Sequence, residues 1–309
     1  MPTTATITAK MATTDMTINT KISTEIGSPC SDCLLRNFRR LFATFDIPAL
    51  EQIDFLIEYS ELMAHHNFAT TPEIQRELSH KFTAITGIED PYAIEKSESN
   101  RQAMELYNEW KPKVINSNHP FELALRLSIA GNIMDYGANN SFDIHETIQK
   151  VISANFAIDQ TLMLKQRISQ AKKILYLADN AGEIVFDKLF IETIGHPDLT
   201  IAVKGGVALN DATLNDARES GLEDVAHVIS NGFDAPSTIL RECSDEFLSL
   251  YHTADLIISK GQGNLEGLIY ENDARIFFLL MVKCDVMAEK LKVEKGSFVI
   301  LNQTEKLWN

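Results

Sequence analysis

Two rhythms of apolar and polar positions divide this chain. Up to about residue 165, apolar residues recur at helical spacing with few breakers. "ALEQIDFLIEYSELMAHH" places Ile53, Leu56, Ile57 and Tyr59 or Ser60 around one side of a helix, and "PFELALRLSIAGNIMDYG" repeats Leu123, Leu127, Ala130 and Met134. Pro72, Pro91 and Pro120 stand where helices can start. From about residue 170, short β-rich runs alternate with amphipathic stretches. The runs are "KILYLA" (173–178), "LTIAVK" (199–204), "VAHVIS" (225–230), "DLIISK" (255–260), "RIFFLLMV" (275–282) and "SFVIL" (297–301). Spacings of roughly 20–30 residues suit βαβ units, and near-continuous apolar runs suit parallel strands covered on both faces. The pattern predicts an α/β protein with a mostly parallel sheet over residues 166–309. It predicts an all-helical amino-terminal domain over residues 26–165 and a Thr-rich disordered tail over residues 1–25.

Composition narrows the function. Apolar residues make up 45% of 309, enough for a sizeable core, and ten of the fourteen glycines lie at or after Gly182, in the β-rich half. The net charge of −15 argues against nucleic acid or an anionic membrane as partner. No apolar run is long enough to span a bilayer, and the tail lacks the apolar stretch of a secretory signal. Cys30, Cys33, Cys243 and Cys284 form no dense disulfide framework, so a reducing cytoplasm is expected. Cys30 and Cys33 make a CxxC, but one such pair cannot complete a tetrahedral zinc site, and its role stays unassigned.

Ligands of open α/β sheets bind at the carboxyl ends of the strands, so the residues after each run carry the functional reading. After the first come Asp179, Asn180 and Glu183; after the second, "GGVALNDATLNDA" with Asn210, Asp211 and Asp216; after the third, "NGFD". The fourth ends in Lys260 and continues "GQGNLEG" with Asn264, and the fifth leads into Lys283 and Cys284. Asp179, Asn180 and Asp211 offer only oxygen ligands, which suit hard cations such as Mg²⁺ or Mn²⁺. The alternative for each aspartate is a helix cap. Adjacent residues 179 and 180 can face one ligand only if the chain turns there, and "AGE" supplies small residues for a turn. Lys260 can meet a phosphate, with Gly261 and Gly263 letting backbone N–H groups approach; the alternative is a surface lysine beside a glycine turn. Acid, amide, second acid and lysine together are what phosphoryl transfer to water asks for.

Further candidates surround this set. Asn132 and Asp135 lie three apart on one helix face, either to bind substrate hydroxyls or as a buried structural network. Glu183 and Asp216 are candidates for supporting the ligands or moving protons, and Asn210 and Asn264 are placed with the substrate. Lys96 and Asn100 read as part of a helix cap and solvated face.

Taken together, "DNAGEIVFDKLF", "ALNDATLNDA", "SKGQGNLEGL", "AGNIMDYG" and "SPCSDCLLR" resemble the metal-dependent damage-control phosphatases. That family was long catalogued as a domain of unknown function, and the short, stand-alone prokaryotic branch carrying the CxxC is the most similar. The resemblance runs from about residue 27 to the end. It implies a helical amino-terminal part on a Rossmann-like α/β domain. It also implies a divalent metal (manganese, nickel, cobalt or magnesium) held at Asp179, Asn180 and Asp211. Phosphate monoesters of small metabolites, such as sugar phosphates or damaged phosphometabolites, are the implied substrates. Lys260 falls where the family's phosphate-contacting lysine would be, and Asn132 and Asp135 match its GNxxD segment. A metal-activated water is the expected nucleophile, with covalent attack by Asp179 as the alternative. Lys204 stands where arginine is expected, Leu265 where an aromatic is usual and Ser237 where glycine is common, which bears on substrate preference. Rival readings are a methyl-donor-dependent carboxyl methyltransferase and a non-catalytic phosphometabolite-binding protein.

Overall fold

The computed structural model describes residues 28–65, 70–131 and 144–302. The Thr-rich tail, Asn132, Met134 and Asp135 lie outside the described residues. The chain divides into two compact units, Met1–Pro91 and Tyr92–Asn309. The boundary expected at residues 165 and 166 therefore falls inside the second unit.

The first unit contains α1 (Ser28–Thr44), α2 (Ala49–His65) and α3 (Thr71–Thr86). Pro72 sits in the first turn of α3, where its missing N–H costs nothing, and Glu73 accepts from the Thr70 N–H at 2.8 Å. Gly87 ends the helix in the left-handed region at φ 72°. The buried ridge of α2 is Phe55, Tyr59 and Met63, whereas Ile57 is 48% exposed. Of the side expected around Ile53, Leu56, Ile57 and Tyr59 or Ser60, Tyr59 is thus buried and Ile57 is not, a rotation of the apolar face. Aromatic packing decides the rotation: the Phe55 ring lies 4.6 Å from Phe38 and 5.4 Å from Phe42, and Phe82 of α3 joins them.

The second unit is built on a seven-stranded sheet in the order β1-β7-β6-β5-β2-β3-β4. The strands are β1 (Ile158–Asp159), β2 (Ile174–Leu177), β3 (Leu199–Val203), β4 (His227–Ser230), β5 (Leu256–Lys260), β6 (Ile276–Met281) and β7 (Phe298–Asn302). The six apolar runs each became one strand. The two-residue β1 had no such signal; it pairs parallel with β7, which itself runs antiparallel to β6. The fold class is as expected: α/β with a mostly parallel sheet and helices leading into it.

Alternate residues of each strand feed two cores, as the period of two requires. Tyr176, Ile201, Val203, Ile258 and Phe277 face α4 (Ala93–Ile115), α5 (Pro120–Ala130) and α8 (Glu183–Ile194). The intervening α6 (Ile144–Ser153) and α7 (Thr161–Gln170) add Ile148, Leu164 and Ile168 to the same core. Leu175, Leu177, Ala202, Ile257 and Phe278 face α10 (Asp245–Thr253), α11 (Gly261–Leu268) and α12 (Asp285–Leu291) on the other side. Helices α4 to α7 therefore cover the sheet. Strands β3 and β4 build outward from β2 one way, and β6 and β7 from β5 the other. The order reverses between β2 and β5, which is where an open sheet of this kind holds a ligand. No helix among the described residues is long and apolar enough to cross a membrane.

Candidate active site

The carboxyl end of β2 does not continue as a strand. Ala178 makes the last ladder bond to β3, its N–H donating to the Ala202 carbonyl at 2.9 Å. The chain beyond β3 then curls back, with Leu209 at φ 53°, and pairs antiparallel with the β2 loop. Asn180 and Asp211 lie directly opposite in this bridge. It is closed by the Ala212 N–H on the Asp179 carbonyl (2.8 Å) and the Ala181 N–H on the Asn210 carbonyl (2.9 Å). Opposed residues of an antiparallel pair share a face, so the bridge sets Asp211 beside Asn180. The Asn180 amide nitrogen donates to Asp179 Oδ2 at 2.9 Å and to Glu183 Oε2 at 3.2 Å. The three expected ligand residues are thus gathered by one turn and one bridge, and all are buried.

Gly182 permits the turn. Its φ is 75°, and a Cβ there would lie 2.9 Å from the Ser99 Cβ of α4. The Gly182 N–H donates to Asn100 Oδ1 at 2.7 Å, and Asn100 Nδ2 donates to Asp216 Oδ1 at 3.1 Å. Lys96 approaches Asp216 Oδ2 at 3.7 Å. Lys96 and Asn100, expected on a solvated face, are instead 6% and 4% exposed. They were misplaced because α4 turns them onto the β2 loop. Asp216 caps α9 (Leu214–Glu219), accepting from the N–H and hydroxyl of Thr213 at 2.9 and 2.7 Å. Both its oxygens are committed to protein donors, which makes it a brace for the loop rather than a group facing substrate. Asn100→Ala strands the Gly182 donor, so it is expected to destabilise the protein by about 2 kcal/mol. Urea denaturation checks this, and an unchanged midpoint would refute the brace.

Lys260 differs most from the sequence reading. It is fully buried, and its ammonium donates to Asp187 Oδ1 (2.6 Å), Glu183 Oε1 (2.7 Å) and the Ser128 carbonyl (2.9 Å). An ammonium has three N–H donors, so none is left over for a phosphate. Tyr176 adds its hydroxyl to Asp187 Oδ1 at 2.7 Å. Asp187 and Tyr176 were not singled out from the sequence. The available signal was the placing of Asp187 four residues after Glu183, one helical turn along α8.

Asn264 is saturated in the same way. Its Nδ2 donates to the carbonyls of Ala178 and Lys260, and its Oδ1 accepts from Lys204 Nζ (2.8 Å) and the Thr238 hydroxyl (2.9 Å). It clamps β2 to β5 and cannot also face substrate, as had been expected. Asn210 joins the site through its backbone carbonyl. Lys204, buried, also stands 3.4 Å from Asp211 Oδ2. The other two departures from the expected pattern are accommodated by packing: Leu265 is buried in the core beneath α11, and the Ser237 hydroxyl donates to the Gly263 carbonyl at 2.8 Å.

The charges at this rim do not balance. Among the described residues, and apart from the Lys96–Asp216 pair, four buried carboxyl groups (Asp179, Glu183, Asp187, Asp211) face two buried lysines, Lys204 and Lys260. Burial, countered by Lys260 and reinforced by Asp179 and Asp187, pushes the Glu183 carboxyl up to about 8. Burial also raises Asp187. Desolvation pulls the Lys260 ammonium down, but the two carboxylates outweigh it and leave it above its ordinary value. A bound cation would relieve this excess of negative charge. Among the described residues no three His, Cys, Asp or Glu side chains group so as to hold a metal ion by themselves. A cation here would rest on two carboxylates and an amide, an all-oxygen set that fits a hard ion completed by other oxygens.

The chain matches known proteins along almost its whole length. Residues 27–299 match the family described as the damage-control phosphatase ARMT1-like domain. A damage-control phosphatase of Pyrococcus horikoshii is 34% identical over 285 residues, spanning 90% of this chain and 98% of its own. A damage-control phosphatase of Archaeoglobus fulgidus is 31% identical over 287 residues, spanning 89% of this chain and 98% of its own. The crystal structure of a DUF89 family protein from Pyrococcus horikoshii is similar with a TM-score of 0.83 at 32% identity, covering 90% of this chain and 99% of that one.

Proposed function

This chain belongs to the damage-control phosphatase ARMT1-like family and is a phosphoester hydrolase, and from that premise we propose that it works with a divalent cation held by Asp179, Asn180 and Asp211. The Asn180–Asp211 bridge carries this reading, because it gathers oxygen donors where the sheet order reverses and where buried charge is in deficit. When bound, the cation would draw charge from a phosphoryl oxygen as the ester bond breaks. Lys204, beside Asp211, adds a positive charge on the same rim. Lys260 acts from behind, holding Glu183 against the Asn180 amide. The substrates are phosphate monoesters of small metabolites, sugar phosphates and damaged phosphometabolites among them. The four cysteines, none of them paired in a disulfide among the described residues, accord with a cytoplasmic setting.

The test is a phosphate-release screen over sugar phosphates with the protein stripped by chelator and then given Mn²⁺, Ni²⁺, Co²⁺ or Mg²⁺ in turn. Release is expected only with a cation restored. Undiminished turnover by the stripped protein would overturn the metal, and saturable binding without turnover under every cation would overturn the hydrolysis.

A further inference from the structure

Behind the proposed ligands lies a chain of buried polar groups. It runs from the Tyr176 hydroxyl to Asp187, from Asp187 to Lys260, from Lys260 to Glu183, and from Glu183 to the Asn180 amide. Tyr176, Asp187, Lys260 and Glu183 are all fully buried.

Such an arrangement is poor value for stability alone. Asp187 Oδ1 accepts from both Lys260 and Tyr176, while its Oδ2 makes no hydrogen bond among the described residues. A buried carboxylate with an oxygen left over carries a desolvation cost, and well-packed apolar residues commonly stabilise a fold as well or better. What the carboxylate does supply is a fixed position for Lys260. With the Ser128 carbonyl and Glu183 it completes a tripod of acceptors at 2.6, 2.7 and 2.9 Å, so the ammonium has one orientation.

The order passes along through Glu183. Its Oε1 is tied to Lys260, which leaves Oε2 toward Asn180. The Asn180 amide nitrogen then lies between two carboxylates, Asp179 and Glu183. Turning that amide over would set its oxygen against both, so the amide has one sense, with its nitrogen on the two carboxyl groups and its oxygen directed away from them. A hard cation binds the amide through that oxygen.

We propose that Asp187 is a positioning residue for the cation site, acting through Lys260 and Glu183 to fix the sense of the Asn180 amide. This rests on the reading of Asn180 as a cation ligand. Without the Asp187 charge, Lys260 keeps Glu183 as its only charged partner among the described residues and draws it closer. The 3.2 Å bond from Asn180 to Glu183 is the longest link and yields first.

The experiment titrates Mn²⁺ into the full-length, chelator-stripped protein by calorimetry, for wild type, Asp187→Asn, Tyr176→Phe and Asp179→Asn, with metal-free melts by circular dichroism. Asp187→Asn keeps an oxygen for Tyr176, and its Mn²⁺ affinity is expected to fall about tenfold, the low end for groups that orient metal ligands. Its activity should fall in proportion at limiting Mn²⁺ and return at saturating Mn²⁺, a pattern that loss of folded protein does not produce. Tyr176→Phe removes a single hydroxyl and should show the same pattern at roughly threefold; it carries the test if Asp187→Asn does not fold. Wild-type Mn²⁺ affinity in both variants, beside a clear loss in Asp179→Asn, overturns the positioning role alone. Wild-type affinity in Asp179→Asn as well overturns the cation site and this proposal with it.

Discussion

Asp179→Asn should release phosphate about a thousandfold more slowly than wild type at limiting metal, because losing a cation that stabilises charge by several kcal/mol costs that much rate. The substitution is isosteric, so the fold should survive. What changes is the chemistry around Asn180. Its amide nitrogen now donates to Asp179 Oδ2 at 2.9 Å. An asparagine at 179 would either set a second N–H₂ group against it or turn over and show that group to the cation. It would also remove one of the four buried carboxylates that make the rim negative. The check is phosphate release beside a circular-dichroism spectrum. Activity within tenfold of wild type, from protein with an unaltered spectrum, would show that Asp179 is not a ligand.

Gly261→Ala should be nearly as damaging, although residue 261 carries no functional group. Gly261 follows β5 directly, at φ 78°. A Cβ there would lie 1.9 Å from Asp179 Oδ2, 2.1 Å from its Cγ and 2.5 Å from Oδ1. The whole carboxylate must therefore move, and it is held between Asn180 and this glycine. Left-handed backbone adds about 1–2 kcal/mol of strain for any residue with a Cβ. The two effects can be separated, because Gly296 has φ 87° with nothing within 4 Å of its would-be Cβ. Gly296→Ala should lose stability by a similar strain and keep its activity. Gly261→Ala should lose both, with Mn²⁺ affinity falling alongside turnover. Equal activities in the two variants would mean that Asp179 tolerates displacement.

Both predictions turn on how much of this site can be read from the chain. The strands β2 to β7 were legible because each is a short run of apolar residues bounded by polar or turn-forming ones, a local signal. The starts of α3 and α5 were legible for the same reason, since Pro72 and Pro120 mark first turns. Asp179, Asn180 and Asp211 could be named because they follow strands, and the ends of parallel strands are where ligands collect. The two-residue β1 was not legible, because it is too short to carry a pattern. The side on which α2 is buried was not legible either, since apolar residues lie on several sides of it and contact with Phe38 and Phe42 made the choice.

By itself, then, the sequence determined the class of fold, the positions of the main strands and the chemical kinds of group at their ends. Hydrophobic period and turn chemistry act over a few neighbouring residues, so a single chain displays them. Tertiary structure alone decided the partners. Lys260 meets Ser128 across 132 residues of chain and Asp187 across 73, which turned an expected phosphate contact into the centre of a buried tripod. Asn100 meets Gly182 across 82 residues, which turned an expected surface asparagine into a brace for the β2 loop. Strand order and helix docking set those encounters. They follow from how whole faces of the sheet are covered, and no local pattern encodes that.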